Sequence, residues 1–333
     1  MRAFVLTGYG PVSAHVKLAD IPDPVAAPGE VVIDIHAASL NPIDFKLVHG
    51  DLKRISKYTL PRPIGFDASG IVTAVGAGTS KFKPGDAVYV RASRERIGTF
   101  AEQIALPEKL FAPKPANVSH AEAASLPLVG LTTVQMFERA GAKSGQRILI
   151  HAGSGGVGTF AVQYAKHLGL DVTSTTSSKN ADFVSSLGAD RVIAYDRENY
   201  LDQGGDYDIV YDTLGGAFTV DGFKVVKRGG VVISLSGPPD RDFARREGLG
   251  MLVGIVVWLM GRKVYAASAA AGARYEWSFT VSDGDQLRDI AVLVESGAIK
   301  PVVDREFAFE KLPEALSYLE TGRARGKVVL KVR

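Results

Sequence analysis

Cysteine is absent from the 333 residues. Its absence excludes a disulfide framework, a thiolate nucleophile or redox centre, and any zinc site that relies on thiolates. Charge of one sign is scarce as well, with 39 Lys and Arg against 36 Asp and Glu, a net of +3. So small an excess gives no general affinity for nucleic acid or an anionic membrane, and no basic stripe marks an RNA surface. Long apolar runs are also few. The longest, GLGMLVGIVVWLM at residues 248–260, is thirteen residues. As a helix it spans about 20 Å, short of the ~30 Å hydrocarbon core, so we expect a buried or site-covering helix and no membrane span. Arg245, Arg246, Arg262 and Lys263 flank the run and leave an interfacial contact open. The opening MRAFVLTGYG lacks the apolar core and small-residue cleavage site of a signal peptide. A cytoplasmic protein is expected.

Hydrophobic residues make up 46% and charged residues 23%, an ordinary globular composition with length enough for two domains. Residues 1–122 carry short strand-like runs (AFVLTGYGP, EVVIDIHAAS, ASGIVTAVG, KPGDAVYV) punctuated by Gly and Pro, as in a barrel-like β domain. SHAEAASLPLVGLTTVQMFERAG then shows helical periodicity, with Ser119 as N-cap and Glu122 three residues later. From Arg147, RILIHA, DVTSTTS, RVIAY, YDIVYDTL and GGVVISLSG read as strands. GVGTFAVQYAKHLG and SKNADFVSSLGAD read as helices between them. That alternation predicts a parallel, doubly wound sheet. In the last segment RYEWSFTVS reads as a strand, GDQLRDIAVLVESGAI as a helix, and KVVLKV as a terminal strand rejoining the first domain. The expected architecture is α/β: a β-rich domain (1–122 and 271–333) interrupted by a dinucleotide-binding domain (123–270).

The strongest motif is Gly153-Ser154-Gly155-Gly156-Val157-Gly158, which fits G-x-G-x-x-G between a strand and an amphipathic helix. Glycines let the turn close and a pyrophosphate approach, and the helix N-terminus supplies N–H groups and a positive dipole end. Gly158 is expected to permit close helix–strand packing. An NAD enzyme places an acid at the end of the second strand to hold the ribose hydroxyls. Here that position reads Thr175-Thr176-Ser177-Ser178-Lys179-Asn180, without an acid. Hydroxyls and a lysine suit a 2′-phosphate, which favours NADPH, although Ser177 also suits an N-cap.

Several further segments carry a resemblance in their order and spacing. They are NPIDFK (41–46), PIGFDASG (63–70), KPGDAVY (83–89), AASLP (123–127), GLT (130–132), the phosphate loop itself, and GKVVL (326–330). On these the chain resembles the medium-chain dehydrogenase/reductase superfamily, within it the zinc-free quinone oxidoreductase branch, similar to zeta-crystallin-like quinone reductases and plant enone reductases. The resemblance implies a GroES-like catalytic domain and a Rossmann NADPH domain, in a homodimer joined along the Rossmann sheet edges. Zinc members hold their metal with cysteine and histidine. Asn41 and Phe66 stand where the first cysteine and the histidine are expected, so no metal is expected and simple alcohol oxidation is disfavoured. The six histidines show no ligand spacing.

The implied activity is NADPH-dependent hydride transfer to a small-molecule electrophile: a quinone, or the activated C=C of an enone or alkenal. Reduction of unsaturated thioesters or haloacrylates is an alternative, as is a catalytically quiet NADPH-binding sensor or structural protein. By resemblance, Asn41 and Thr132 stand by the nicotinamide. Alternatively, Asn41 is a strand-end residue before Pro42, and Thr132 bonds its own helix. Lys46 is a candidate donor to the substrate oxygen or a surface lysine, and Tyr58 a weaker catalytic candidate or a packed aromatic. Asp67 is expected as a structural partner near the lost metal position. Thr176, Ser177, Lys179 and Tyr195 fall on the adenosine side, Ser236 and Gly237 on the nicotinamide loop, and Lys327 among the cofactor-side residues.

Overall fold

The fold comes from a computed structural model that describes residues 1–53, 58–248 and 250–333. Leu249, within the apolar run, lies outside the described residues. Eight strands come first: β1 (Arg2–Leu6), β2 (Val16–Asp20), β3 (Glu30–Leu40), β4 (Arg62–Pro63), β5 (Asp67–Val75), β6 (Ala87–Arg91), β7 (Gln103–Pro107) and β8 (Phe111–Pro113). Six more follow: β9 (Arg147–Ile150), β10 (Asp171–Thr176), β11 (Arg191–Ala194), β12 (Tyr207–Asp212), β13 (Val226–Ser234) and β14 (Arg274–Glu276). β15 (Val303–Ala308) and β16 (Lys327–Lys331) close the chain.

Two compact units result, one of Met1–Leu131 with Val281–Arg333 and the other of Thr132–Thr280. In the first unit, β2-β1-β4 form a small sheet. A seven-stranded sheet runs β15-β16-β3-β5-β6-β8, with β7 also paired to β3. β3 is flanked by β5, β7 and β16 and is buried almost throughout, Asp34 and His36 being its half-buried positions. Ile33, Ile35, Leu40, Phe66 and Phe111 belong to one buried cluster there. Full burial of such a side chain contributes about 1.5–3 kcal/mol. KVVLKV rejoins this unit as expected, β16 pairing antiparallel with β3.

In the second unit the order is β11-β10-β9-β12-β13-β14. Every pair in it is parallel. Counting from β9, the strands lie 3-2-1-4-5-6, the arrangement of a dinucleotide-binding sheet with its switch point between β9 and β12.

Three local expectations change. The Ser119–Glu122 capping box forms, with Glu122 N–H donating to Ser119 Oγ at 3.2 Å and Ser119 N–H to Glu122 Oε2 at 2.8 Å. The helix it starts nevertheless ends at Ala124, and a second runs Pro127–Ala140. Pro127 has no N–H to continue the ladder and disfavours a helical residue before it. In RYEWSFTVS only β14 is a strand. Trp277 and Phe279 instead pack their rings against Phe243, at 5.2 and 5.8 Å between centroids. The apolar run departs most. It begins a helix, Met251–Ala271, of 21 residues, and most of its first half is exposed rather than buried. The apolar run ended at Gly261-Arg262-Lys263, but an Ala-rich stretch carries the helix on. By length and composition this helix could cross a membrane, and 22% of its most apolar window is buried.

Candidate active site

In the first unit, strand register assembles a polar cluster. β3 pairs Ser39 with Asp67, the first residue of β5, and pairs Leu40 with Val328 of β16. Asn41 and Lys327 are the next residues outward, so the register brings Asn41, Asp67 and Lys327 together. The Lys327 ammonium donates to Asn41 Oδ1 at 2.6 Å and lies 3.6 Å from Asp67 Oδ2. Asn41 Nδ2 donates to the same Asp67 oxygen at 2.9 Å. The Asn41 carboxamide is thereby held at both ends. Its backbone N–H donates to Asp44 Oδ2 at 2.7 Å, one half of a capping box on the helix Pro42–His49, where Pro42 supplies a preset first turn.

Asn41, Asp44, Asp67 and Lys327 are all buried. Burial raises the Asp44 carboxyl to about 8, so it carries a proton at neutral pH; Asp44 Oδ1 has no hydrogen-bond partner. Burial also pushes Asp67 up and Lys327 down, and each charge opposes the shift of the other. The arrangement is an ion pair that orients a carboxamide, beside a neutral acid. Charges so buried persist only when paired.

In the second unit, β9 runs into the phosphate loop and the helix Gly156–His167. A Cβ at Gly158 would overlap the Ala152 carbonyl oxygen, which explains the glycine by the close approach of the helix to the loop that follows β9. Ala152 itself holds a left-handed φ of 54°. Its N–H donates to Thr175 Oγ1 at 3.2 Å. Ser154 Oγ accepts from Thr176 Oγ1 at 2.9 Å and from Asn180 Nδ2 at 3.2 Å. The loop is therefore fixed by its neighbours, while the helix end beyond it keeps the N–H groups that no helix can satisfy internally. Such a cradle, with glycines where side chains would collide, fits a dinucleotide pyrophosphate.

The remaining candidates fall in different settings. Ser177 occupies the N-cap of a short turn without a side-chain capping bond, and Lys179 is exposed. Tyr195 is exposed just past β11. Thr132 Oγ1 meets Thr280 Oγ1 at 2.7 Å. Ser236 Oγ donates to the Thr213 carbonyl at 3.2 Å, and the Gly237 N–H to Ser234 Oγ at 2.8 Å. Lys46 sits half-buried in the last turn of its helix and makes no hydrogen bond to the Asn41 cluster among the described residues. The Tyr58 hydroxyl donates to the Arg94 carbonyl at 2.7 Å, and the Arg62 guanidinium covers its ring.

Sequence reasoning missed several residues. Asp44 was signalled by its place three residues after Asn41, a capping-box spacing. Asp212, at the end of β12, is buried and accepts from Leu214 and Gly215 N–H and from the Thr219 and Ser234 hydroxyls, fixing the turn after the strand. No acid ends β10, yet the fold brings Asp196 beside it. Ser178 donates to Asp196 through its N–H at 2.7 Å and its hydroxyl at 2.6 Å, which holds the carboxyl below its usual range.

Residues 27–116 match the family model described as an alcohol dehydrogenase GroES-like domain, and residues 187–330 match that of a zinc-binding dehydrogenase. A 2-methylene-furan-3-one reductase of Solanum lycopersicum is 37% identical over 341 residues, covering 99% of this chain and 79% of that one. The chain belongs to the medium-chain dehydrogenase/reductase superfamily. An NADPH-dependent alkenal/one oxidoreductase of Arabidopsis thaliana, described as chloroplastic, is 35% identical over 340 residues, again 99% of this chain and 79% of that one. The solved structure of a quinone oxidoreductase from Coxiella burnetii superposes with a TM-score of 0.86 at 30% identity, covering 100% of this chain and 99% of that one.

The zinc in the second family description does not fit the residues found here. The chain has no thiolate, Phe66 is a buried hydrocarbon, and the Asn41 oxygen already binds an ammonium. An amide oxygen facing a lysine is no zinc ligand set. This enzyme falls in the metal-independent branch of its superfamily.

Proposed function

We propose that this chain uses NADPH to reduce quinones or the conjugated C=C bonds of enones and alkenals. The observation that carries the reading is the 2.6 Å contact between the Lys327 ammonium and the Asn41 carboxamide, at the position where zinc relatives need a thiolate. With an organic cation in place of a Lewis acid, an alcohol has nothing to stabilise its alkoxide, whereas an already electrophilic substrate needs only a hydride and a polar hand on its oxygen.

NADPH is the cofactor and supplies that hydride. In our reading the phosphate loop from Gly153 to Gly158, with Ser154, Gly155, Gly156 and Val157 between, holds its pyrophosphate. Thr176, Ser177 and Lys179 receive the 2′-phosphate, Tyr195 lies along the adenosine, and Thr132 with the Ser236–Gly237 backbone orients the nicotinamide side. Asn41 faces the charge that develops on the substrate oxygen, and Lys327 polarises its carboxamide from behind. Asp67 fixes the carboxamide's other end, so no reorganisation is needed as charge builds. We assign the chain to the cytoplasm, as a homodimer joined along free edges of the six-stranded sheet.

The test is loss of NADPH absorbance with a naphthoquinone, a small enone, an alkenal and an alcohol, with and without a chelator. Turnover of quinone or enone, unchanged by chelator, is expected. Lys179→Ala should lower kcat/KM for NADPH about tenfold and leave NADH unaffected, as loss of one charge-assisted phosphate contact does. Chelator-sensitive alcohol oxidation, or no turnover of any electrophile by protein that binds NADPH, rejects the reading.

A further inference from the structure

The first half of the helix Met251–Ala271 stands in water. Met251 is 82% exposed, Leu252 77%, Met260 64% and Trp258 52%; Val253, Ile255, Val256 and Leu259 are exposed as well. With ordinary side-chain areas these eight residues leave roughly 800 Å² of apolar surface, above the few hundred Å² a soluble monomer usually shows in one patch. The exposed positions are nearly consecutive, so they lie around most of the helix rather than along one stripe.

Buried positions hold the helix down, the first of them within the exposed stretch. Val257 packs with Phe243 and Trp277, and Val264 joins the cluster of Val210 and Val232. Tyr265 donates to the Pro239 carbonyl at 2.8 Å. Val257 seats one side of the first three turns, and Val264 and Tyr265 hold the second half on the protein, so the helix is not free to span a bilayer. The first three turns rest on the protein along the Val257 side and leave their other sides in water, and the rest is fixed.

The charges around the projection have one dominant sign. The helix contains no acidic residue and carries Arg262 and Lys263, both exposed. Arg241 and Arg245 line a shallow groove with Ile255 and Trp258 at its start. The nearby acids Asp240 and Asp242 are bound by Arg246 and Arg245, each at 2.9 Å.

We propose that these three turns insert into the interface of an anionic lipid surface, docking the protein without crossing it. An apolar segment with a tryptophan, ringed by Arg and Lys, is the composition of such anchors. A second copy of the chain fits less well. A two-fold contact would set this basic ring against itself, and one flat face would leave much of the helix circumference in water. Lipid surrounds the helix from several sides and offers the opposite charge. The anchored half of the same helix bonds the Ser236–Pro239 loop through Tyr265.

The experiment is flotation of the full chain with phosphatidylcholine vesicles, with and without phosphatidylglycerol, alongside analytical ultracentrifugation without lipid. Leu252→Glu/Val256→Glu and Arg262→Gln/Lys263→Gln change only exposed side chains, and unchanged thermal melting checks their fold. Flotation of the wild type with phosphatidylglycerol vesicles is expected. The Glu pair should abolish it, and loss of the two cations should weaken it about 30-fold. Three outcomes overturn the proposal: no flotation, equal flotation with both vesicle types, or a wild-type dimer that becomes monomeric in the Glu pair while neither floats. Turnover of a soluble naphthoquinone without vesicles is read separately, so a failed activity leaves the docking result standing.

Discussion

In the first unit the Asn41 cluster is polar, buried, built around an ion pair and drawn from distant parts of the chain; Lys327 and Asn41 are 286 residues apart. In the second unit the phosphate-loop residues are short, neutral and contiguous, from Gly153 to Gly158, and in our reading their backbone meets the ligand. The first unit positions a side chain by pairing charges away from water, where each interaction is strong and each loss is severe. The second positions N–H groups by closing a turn so tightly that a methyl group does not fit. Substitutions should therefore fail for different reasons in the two places.

The largest effect is expected at Lys327. Replacing it by Met leaves the Asp67 carboxylate buried without its cation, and such a break costs about 3–5 kcal/mol. Urea unfolding should show that loss, and Asp67→Asn/Lys327→Met together should recover most of it, a strong coupling in a double-mutant cycle. A loss below about 1 kcal/mol in the single variant would mean that the pair carries no charge in the folded protein.

Asp44 comes next and acts through pH. The folded protein keeps its proton up to about 8, whereas an ordinary aspartate loses it near 3.8. Between those values the unfolded chain binds fewer protons, so stability falls as pH rises, by up to about 1.4 kcal/mol per pH unit. Asp67 adds to this shift, and Lys327 and Arg91 oppose it. Asp44→Asn copies the neutral acid and retains an acceptor for the Asn41 N–H. Its stability should gain about 2–3 kcal/mol on the wild type between pH 5 and pH 7. Parallel profiles for the two proteins would show that Asp44 is ionised when folded.

The same contrast explains what could be read before the fold was known. The phosphate loop and the strands and helix around it were legible because the motif is local: six consecutive residues, a strand before and a helix after. Neighbouring positions in the first unit were found only by resemblance, since nothing in the spacing of Asn41, Asp67 and Lys327 announces that β3, β5 and β16 bring them together. Asp196 was missed for a related reason, because it reaches the end of β10 from the adjacent strand's turn. Of the readings open for the apolar run (a buried helix, a site-covering helix or an interfacial contact), burial fails for its first half; hydrophobicity sets what a segment prefers to contact, not which contacts one chain can supply.

Gly158 sharpens the comparison at the smaller end. A methyl group there overlaps the Ala152 carbonyl oxygen, which is backbone and does not rotate aside. The helix Gly156–His167 must then move away from the Ala152–Gly153 backbone of the loop, at about 1–3 kcal/mol for an overpacked contact. Because the displaced element is also the one we propose to present N–H groups to the pyrophosphate, thermal stability and NADPH affinity should fall together in Gly158→Ala, and excess NADPH should stabilise it less than it does the wild type. In Asp67→Asn/Lys327→Met any loss should appear instead in kcat on the electrophile, with NADPH affinity kept. If Gly158→Ala melts like the wild type and binds NADPH as tightly, the loop tolerates the methyl group, and the tight helix–loop approach is not what shapes the cofactor cradle.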